Sequence, residues 1–189
     1  MVLKLHTPVD LSRRLRTHMV KRSKNKQNWR RGKKGRRFVA LDEALVFEEL
    51  FSMCAMHLIM DFVCDELKAN TVHCVCAQWV WSNSVNAQLL HRDHTYGYGK
   101  YISMLIGFDG FVIDTLFPDG HGTAPANCHI LIFDSYDLHA GGAGANFSKL
   151  LVSFAVPSIT EFSRIAHQNL HKPKRNYPCY HRDCAAVEL

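Results

Sequence analysis

The stretch LLHRDH at residues 89–94 decides how the rest of the chain is interpreted. Side chains two positions apart in a β-strand project from the same face of the sheet. A strand that enters this stretch would therefore bring the imidazole of His91 and the carboxylate of Asp93 into one volume. Both groups are ligands for divalent transition metals. The chain has 12 histidines, so a solvated His-x-Asp pair is the more common explanation of such a motif taken alone.

A third ligand is available 46 residues after Asp93, in the segment FDSYDLHAGG of residues 133–142. His139 in this segment follows an apolar run and precedes two glycines, where the backbone can turn and let a ligand approach. Two histidines and one carboxylate, which leave three coordination positions free, are the facial triad of non-haem Fe(II) oxygenases. The sequence therefore predicts one iron site made by His91, Asp93 and His139.

Short runs rich in Val, Ile, Phe, Tyr and Trp alternate with turn residues from residue 71 onward, a pattern typical of β-strands. Regularly spaced short strands without intervening helices indicate an antiparallel sandwich, barrel or jelly roll. The predicted strands are residues 72–81, 87–91, 101–108, 111–117, 129–133 and 149–156.

The order of these pieces resembles that of the 2-oxoglutarate/Fe(II)-dependent dioxygenase superfamily, whose fold is the double-stranded β-helix, a cupin-like jelly roll. The resemblance covers about residues 72–156. It implies that His91, Asp93 and His139 hold Fe(II). It also implies that Lys149, ten residues beyond His139 at the head of a later strand, binds the far carboxylate of 2-oxoglutarate.

The residues around Lys149 are compatible with this role. Lys149, Leu151 and Ser153 share one face of the predicted strand, and an ammonium group grips a carboxylate by charge-assisted hydrogen bonds. Many members of the superfamily carry a serine two positions after the basic residue. Here Leu151 stands at that offset, which puts a role for Ser153 in doubt. Tyr101 and Ser103, on the neighbouring strand, are further candidates for binding the same carboxylate.

The resemblance implies an oxidoreductase that uses oxygen and 2-oxoglutarate to hydroxylate or demethylate its substrate, with ascorbate as a candidate accessory reductant. Two other functions stay open. One is a catalytically silent jelly-roll module that binds nucleic acid through a basic arm. The other is a cupin-like metal enzyme that does not use 2-oxoglutarate, in which loss of Lys149 would leave turnover intact.

Basic residues concentrate near the N-terminus. Residues 1–37 hold 14 of the 23 Lys and Arg and one acid, Asp10, which is a net charge of +13, whereas the rest of the chain carries −7. Residues 12–37 have too few apolar side chains to offset the entropy lost on ordering, which predicts a mobile arm. Such an arm either binds nucleic acid or another polyanion by releasing counterions, or is a solvated tail that keeps the protein soluble.

The predicted organisation has four parts. Residues 1–37 are the basic arm, residues 38–70 a helical support, residues 71–157 the jelly-roll catalytic core, and residues 158–189 a C-terminal helix and tail. Asp42 and the acid after it mark the start of the support helix, where negative charge complements the helix dipole. The helical pattern that follows is long for one helix, so we expect it to be bent or broken.

The sequence also bears on location. No uncharged apolar stretch reaches the roughly 18 residues that a membrane-spanning helix needs, and the basic N-terminus lacks the apolar block of a secretory signal. Seven cysteines, an odd number, are most simply explained by a reduced intracellular chain. We therefore expect a protein of the cytoplasm or nucleus without a membrane partner.

A second metal site is conceivable in the C-terminal tail. Its candidate ligands are His167, His171, Cys179, His181 and Cys184, residue types that hold structural zinc. Coincidental clustering in a histidine-rich chain is the favoured alternative.

Overall fold

In the computed structural model, a large and a small antiparallel sheet stack face to face, and helices cover the outer side of the large sheet. The structure describes residues 2–6, 9–25, 29–31, 36–52, 56–82, 89–93, 100–109, 111, 115–118, 122–123, 129–141, 147–156 and 178–182. The helices are α1 (Arg13–Lys24), α2 (Glu43–Phe51) and α3 (Met56–Leu67). The strands are β1 (Val2–Leu5), β2 (Trp29–Arg31), β3 (Arg36–Ala40), β4 (Thr71–Ser82), β5 (Tyr101–Gly107), β6 (Thr115–Phe117), β7 (Gly122–Thr123), β8 (Ile130–Asp134), β9 (Ala140–Gly141), β10 (Phe147–Ala155) and β11 (Cys179–His181).

The strand order places β10 at the centre of the large sheet. That sheet runs β1-β8-β5-β10-β4-β3-β2, and β11 pairs with the start of β4. The small sheet has the order β7-β6-β9. Lys149, near the start of β10, lies in register with Gly107 on one neighbour and with Val80 on the other. A residue at this position is therefore held between two strands rather than at a sheet edge.

The two faces of the large sheet have different coverings because successive side chains of a strand point to opposite faces. On β10, Leu150 and Val152 join the apolar cluster that includes Leu15 of α1 and Met60 of α3. Leu151 instead packs against a second cluster, in which Phe117 of the small sheet meets residues of β5 and β8. The helices thus lie on one face, and the space between the two sheets lies on the other.

The helical support begins where the sequence predicts and is broken as expected. The Asp42 side chain accepts a hydrogen bond of 3.0 Å from the backbone N–H of Leu45, which caps α2. The predicted long helix is two helices, α2 and α3, and α3 ends before Lys68, whose φ of 52° is left-handed. No helix in the described parts of the chain is long and apolar enough to cross a membrane.

The prediction of a mobile arm over residues 12–37 is corrected for the residues that the structure describes. Residues 13–24 form α1, capped by Ser12, whose hydroxyl accepts from the backbone N–H of Leu15 at 3.0 Å. Leu15 and Met19, four positions apart, fall on one helix face and are buried against the sheet. The few apolar side chains of this segment are therefore enough, because they are spaced for a helix. Residues 26–28 and 32–35 lie outside the described residues.

Two of the strands predicted from the sequence differ from those in the structure. Residues 89–93 form no strand, and His91 makes an isolated bridge to His139; residues 87–88 lie outside the described residues. The strand predicted over 111–117 is described as β6 at its end, and residues 112–114 are outside the description. The predicted C-terminal helix lies in residues that are not described. The division of the chain at residues 70 and 157 stays a prediction.

We expect Leu15→Ala to lower the free energy of unfolding by about 2–5 kcal/mol, because it removes a fully buried side chain that fastens α1 to the sheet. Leu58→Ala is the matched control, since the Leu58 side chain is 72% exposed. Urea denaturation followed by circular dichroism measures both. Equal stability of the two variants would contradict the docking of α1.

Candidate metal centre

Backbone hydrogen bonds join the two segments that carry the predicted ligands. The His91 N–H donates to the carbonyl of His139 at 2.8 Å, and the His139 N–H donates to the carbonyl of His91 at 2.9 Å. The Asp93 N–H donates to the carbonyl of Ser135 at 3.1 Å, and the Arg92 Nε donates to the carbonyl of Tyr136 at 2.7 Å. The chain segments around residues 91 and 139 are therefore fixed side by side by three backbone hydrogen bonds and by the Arg92 side chain.

The three predicted ligands converge. The Asp93 Oδ1 lies 3.5 Å from the His139 Nε2 and 3.7 Å from the His91 Nε2. One ligand atom from each side chain lies within 4.8 Å of the other two. The His139 side chain is almost fully buried, and those of His91 and Asp93 are partly exposed. The arrangement is open on one side, as a site that must admit a substrate requires.

Each histidine is held in the tautomer that metal binding needs. The His91 Nδ1 lies 2.9 Å from the carbonyl oxygen of Leu89, and the His139 Nδ1 lies 2.9 Å from that of Asp137. A carbonyl only accepts hydrogen bonds, so both Nδ1 atoms carry the proton. When the rings are neutral, they present their Nε2 lone pairs to the same volume.

The buried Ser103, itself in contact with the buried Ser135, holds the carboxylate of Asp93. The Ser103 hydroxyl, on β5, donates to Asp93 Oδ2 at 2.7 Å, and the Ser103 and Ser135 hydroxyl oxygens are 2.8 Å apart. Both serine side chains are completely buried. Because Oδ2 is engaged by Ser103, Oδ1 is the oxygen that faces the two histidines.

The charges of the three side chains are strongly coupled. Burial by itself raises the pKa of Asp93, but the hydrogen bond and charge of His139, together with the Ser103 hydroxyl, outweigh it and lower that pKa to about 2. Burial lowers the pKa of His139, but the hydrogen bond and charge of Asp93 outweigh it and raise that pKa above its ordinary value. Burial is the main cause that lowers the pKa of His91. Asp93 is therefore an anion at neutral pH.

The ligands open into a cleft between the two sheets, of about 400 Å³ when its open mouth is counted. Lys149 lines this cleft with a side chain that is 7% exposed. Thr115 of β6 lines it too, and its buried hydroxyl has no hydrogen-bond partner among the described residues. The remaining wall is Val80, Leu105, Gly141 and Leu151.

Tyr101 and Ser103, the further co-substrate candidates, and Ser153, whose role the sequence put in doubt, are not among the described residues that line the cleft. Ser103 is turned toward Asp93. The Tyr101 ring packs edge-on against Tyr136, with 6.2 Å between the ring centroids. Ser153 lies in register with Ser103 between neighbouring strands and is likewise buried.

Sequence reasoning missed Thr115 and Ser135. A signal for Thr115 exists: Thr115 and Phe117 are buried and Leu116 between them is 46% exposed, so a hydroxyl stands at an inward position of an alternating run. No comparable signal exists for Ser135, because its role depends on a contact with Ser103, 32 residues away in the chain.

The predicted zinc ligands of the tail are described only in part. The Cys179 Sγ lies 3.1 Å from the His181 Nε2, and the Thr71 hydroxyl lies 2.8 Å from the His181 Nδ1. Candidates 167, 171 and 184 lie outside the described residues. Among the residues that are described, the potential metal ligands of the tail form no group of three.

Comparison with known proteins gives structural likenesses only. No protein-family model matches the chain, and no curated protein matches it. A prolyl-4-hydroxylase from Pseudomonas putida superimposes with a TM-score of 0.52 at 14% identity, over 83% of this chain and 91% of that one. The non-haem alpha-ketoglutarate-dependent epimerase SnoN from nogalamycin biosynthesis gives a TM-score of 0.50 at 11% identity, over 74% of this chain and 70% of that one.

These likenesses, with the stacked sheets, define the class of fold. The chain is mainly β and has a double-stranded β-helix, a jelly roll, as these solved structures do. The predicted fold class is confirmed. At this level of identity the likeness concerns the fold, and the case for chemistry depends on the residues of the cleft.

We expect Ser103→Ala to weaken divalent metal binding roughly 10- to 100-fold, because the Asp93 carboxylate loses the hydroxyl that orients it. Mn(II) binding, followed by electron paramagnetic resonance or calorimetry, measures the change. Ser153→Ala is the control, since Ser153 is an equally buried serine paired in register with Ser103. Wild-type affinity in Ser103→Ala would show that Ser103 does not position Asp93.

Proposed function

We propose that the protein is an Fe(II)- and 2-oxoglutarate-dependent dioxygenase that hydroxylates or demethylates its substrate. The observation that carries the proposal is the convergence of His91, Asp93 and His139 in one cleft with a buried lysine. The fold supports it, since oxygenases of this class are built on the same jelly roll. The described part of the chain supplies groups suited to the metal and to the co-substrate.

The ligand set suits iron. Two neutral imidazoles and one carboxylate are the facial triad of non-haem Fe(II) sites, and they leave coordination positions for other ligands. The Nδ1 hydrogen bonds of His91 and His139 aim both Nε2 atoms at Asp93 Oδ1. The low pKa of Asp93 keeps its negative charge available for the metal at neutral pH.

The cleft also suits a dicarboxylate. Lys149 brings an ammonium group and Thr115 a hydroxyl to the same cavity as the three metal ligands. A buried cation is stabilised by an anionic partner, and a hydroxyl that also donates to that anion fixes its orientation. We assign the far carboxylate of 2-oxoglutarate to Lys149 and Thr115. Ser103, which the sequence suggested for that carboxylate, instead positions Asp93 in this proposal.

The apolar side chains of the cleft complete the arrangement. Val80, Leu105 and Leu151 line it beside Lys149 and provide a surface for the methylene groups of 2-oxoglutarate. They also reduce access of water, which strengthens the ionic contact. When bound, iron would supply the oxidative chemistry, by activating oxygen with electrons from the decarboxylation of 2-oxoglutarate to succinate.

We expect His139→Ala to abolish Fe(II)-dependent conversion of 2-oxoglutarate to succinate and to weaken Mn(II) binding at least tenfold, because it removes one of three ligands. Nuclear magnetic resonance detects succinate without any knowledge of the substrate, and calorimetry gives the metal affinity. His6→Ala, at an exposed histidine, is the control. Succinate formation by His139→Ala at the wild-type rate would rule out the proposed site.

We expect Lys149→Ala to raise the 2-oxoglutarate concentration for half-maximal turnover roughly 10- to 100-fold, the value of a charge-assisted hydrogen bond, while Mn(II) still binds. Thr115→Val, which replaces the hydroxyl by a methyl group of similar size, is expected to raise it about fivefold. Equal turnover of wild type and Lys149→Ala at limiting 2-oxoglutarate would favour the cupin-like enzyme that does not use this co-substrate.

Three further parts of the sequence-based hypothesis stay predictions. They are the use of ascorbate as a reductant, the location in cytoplasm or nucleus, and a choice between hydroxylation and demethylation. Omitting ascorbate from the succinate assay tests the first of them directly.

A further inference from the structure

The outer face of α1 is the most basic part of the chain that the structure describes. The helix carries six Lys and Arg and no acid. Its two buried residues, Leu15 and Met19, point toward the sheet, so the cations occupy the flanks and the outer face.

Half of these cations are engaged within the protein. Arg14 pairs with Glu48 at 2.7 Å and Glu49 at 3.1 Å. Arg16 pairs with Asp109. The Arg22 Nε donates to the carbonyl of Ala40 at 3.2 Å, which ties α1 to β3. These contacts hold the helix in place and account for three of the six charges.

The other three cations of α1 form a stripe along the helix. Arg13, Lys21 and Lys24 are exposed and have no ion pair within the described part of the chain. With Thr17 and Val20 they follow the i, i+4, i+7, i+8, i+11 spacing of one helix face, and they line a shallow surface groove. From Arg13 to Lys24 the stripe spans roughly 16 Å at 1.5 Å per residue, about five times the 3.4 Å axial spacing of phosphates along one strand of a duplex.

The chain beyond α1 adds to this charge. It continues into β2 and β3, which form the edge of the large sheet nearest the helix. The sequence brings Arg30, Arg31, Arg36 and Arg37 to this edge. The guanidinium of Arg37 lies over the Trp81 ring, 5.8 Å from its centroid. Basic residues are therefore also present in β2 and β3, the strands at this edge.

We propose that the exposed face of α1, with Arg13, Lys21 and Lys24 as its contacts, binds the phosphate backbone of nucleic acid. Regularly spaced cations on an ordered helix match a polymer of regularly spaced phosphates, and binding gains free energy from released counterions. A membrane fits less well. An interfacial helix inserts an apolar stripe, but the only apolar side chain lining this groove is Val20, and Leu15 and Met19 are used within the protein.

This surface lies away from the candidate metal centre. Leu15 and Met19 pack in the same apolar cluster as Leu150 and Val152, on the helical face of the large sheet. Lys149 stands on the opposite face, in the cleft. Binding at α1 is thus independent of iron and 2-oxoglutarate, and the proposal holds whether or not the cleft has the proposed activity.

The test uses the full chain without added metal and a fluorescein-labelled 20-nucleotide single strand of mixed sequence. Fluorescence anisotropy gives the affinity between 50 and 200 mM salt. Lys21→Gln/Lys24→Gln removes two contacts, and Lys68→Gln/Lys100→Gln is the control, because it removes two exposed lysines elsewhere. With a salt slope of about 0.7 per phosphate contact, the first variant should lose roughly 10- to 30-fold in affinity at 100 mM salt, and its slope should fall by about 1.4.

The control variant and His139→Ala are expected to bind like the wild type. An equal loss of affinity in the two lysine double variants would overturn the proposal. Binding would then depend on the net charge of the protein and not on this face of α1. Absence of oligonucleotide binding by the wild type would also overturn it. If the protein instead sediments with vesicles of phosphatidylcholine and phosphatidylserine and does not bind the oligonucleotide, the surface is a membrane contact.

Discussion

The candidate site depends on two reciprocal hydrogen bonds between the backbones of His91 and His139, residues 48 positions apart in the chain. Further contacts from Arg92 and Asp93 to the turn after β8 extend this bridge into a short, irregular ladder. Because the bonds of His91, His139 and Asp93 in this ladder are made by backbone groups, they set the spacing of the imidazoles before any metal arrives. The Nδ1 hydrogen bonds then fix the rings, so the ligand set is preorganised by the same chain segments that supply it.

Because successive side chains of a strand point to opposite faces, the residues of the candidate site and the residues that pack against the helices lie on opposite faces of the large sheet. Along β10, Lys149 and Leu151 face the cleft, and Leu150 and Val152 face the helices. Several polar groups of the site are compatible with this apolar sheet because they hydrogen-bond to one another, as Ser103 and the Asp93 carboxylate do. The cationic helix α1 packs on the face opposite the cleft, so it cannot contact the metal ligands.

The sequence predicted those features that follow from a short local pattern. The candidate ligands and Lys149 were found because their order and spacing are characteristic, and the structure brings them into one cleft. The sequence analysis missed that residues 13–24 form a packed helix. The composition of the segment is mostly polar, and it does not show that its apolar side chains Leu15 and Met19 share one helix face. The contact of Ser103 with Asp93 and its contact with Ser135 could not be predicted, because these residues meet only in the fold.

The charges of the cleft explain why the proposed metal and co-substrate would stabilise each other. Asp93 is an anion, Lys149 is a cation, and the histidines are neutral when their Nε2 atoms are free to bind metal. Asp93 and Lys149 thus bring opposite charges to the described part of the cleft. A divalent metal adds two positive charges, and the dianion of 2-oxoglutarate adds two negative ones. In a cleft with apolar walls either charge alone is costly, whereas the two bound together offset each other, so the proposed site favours binding of both over binding of one.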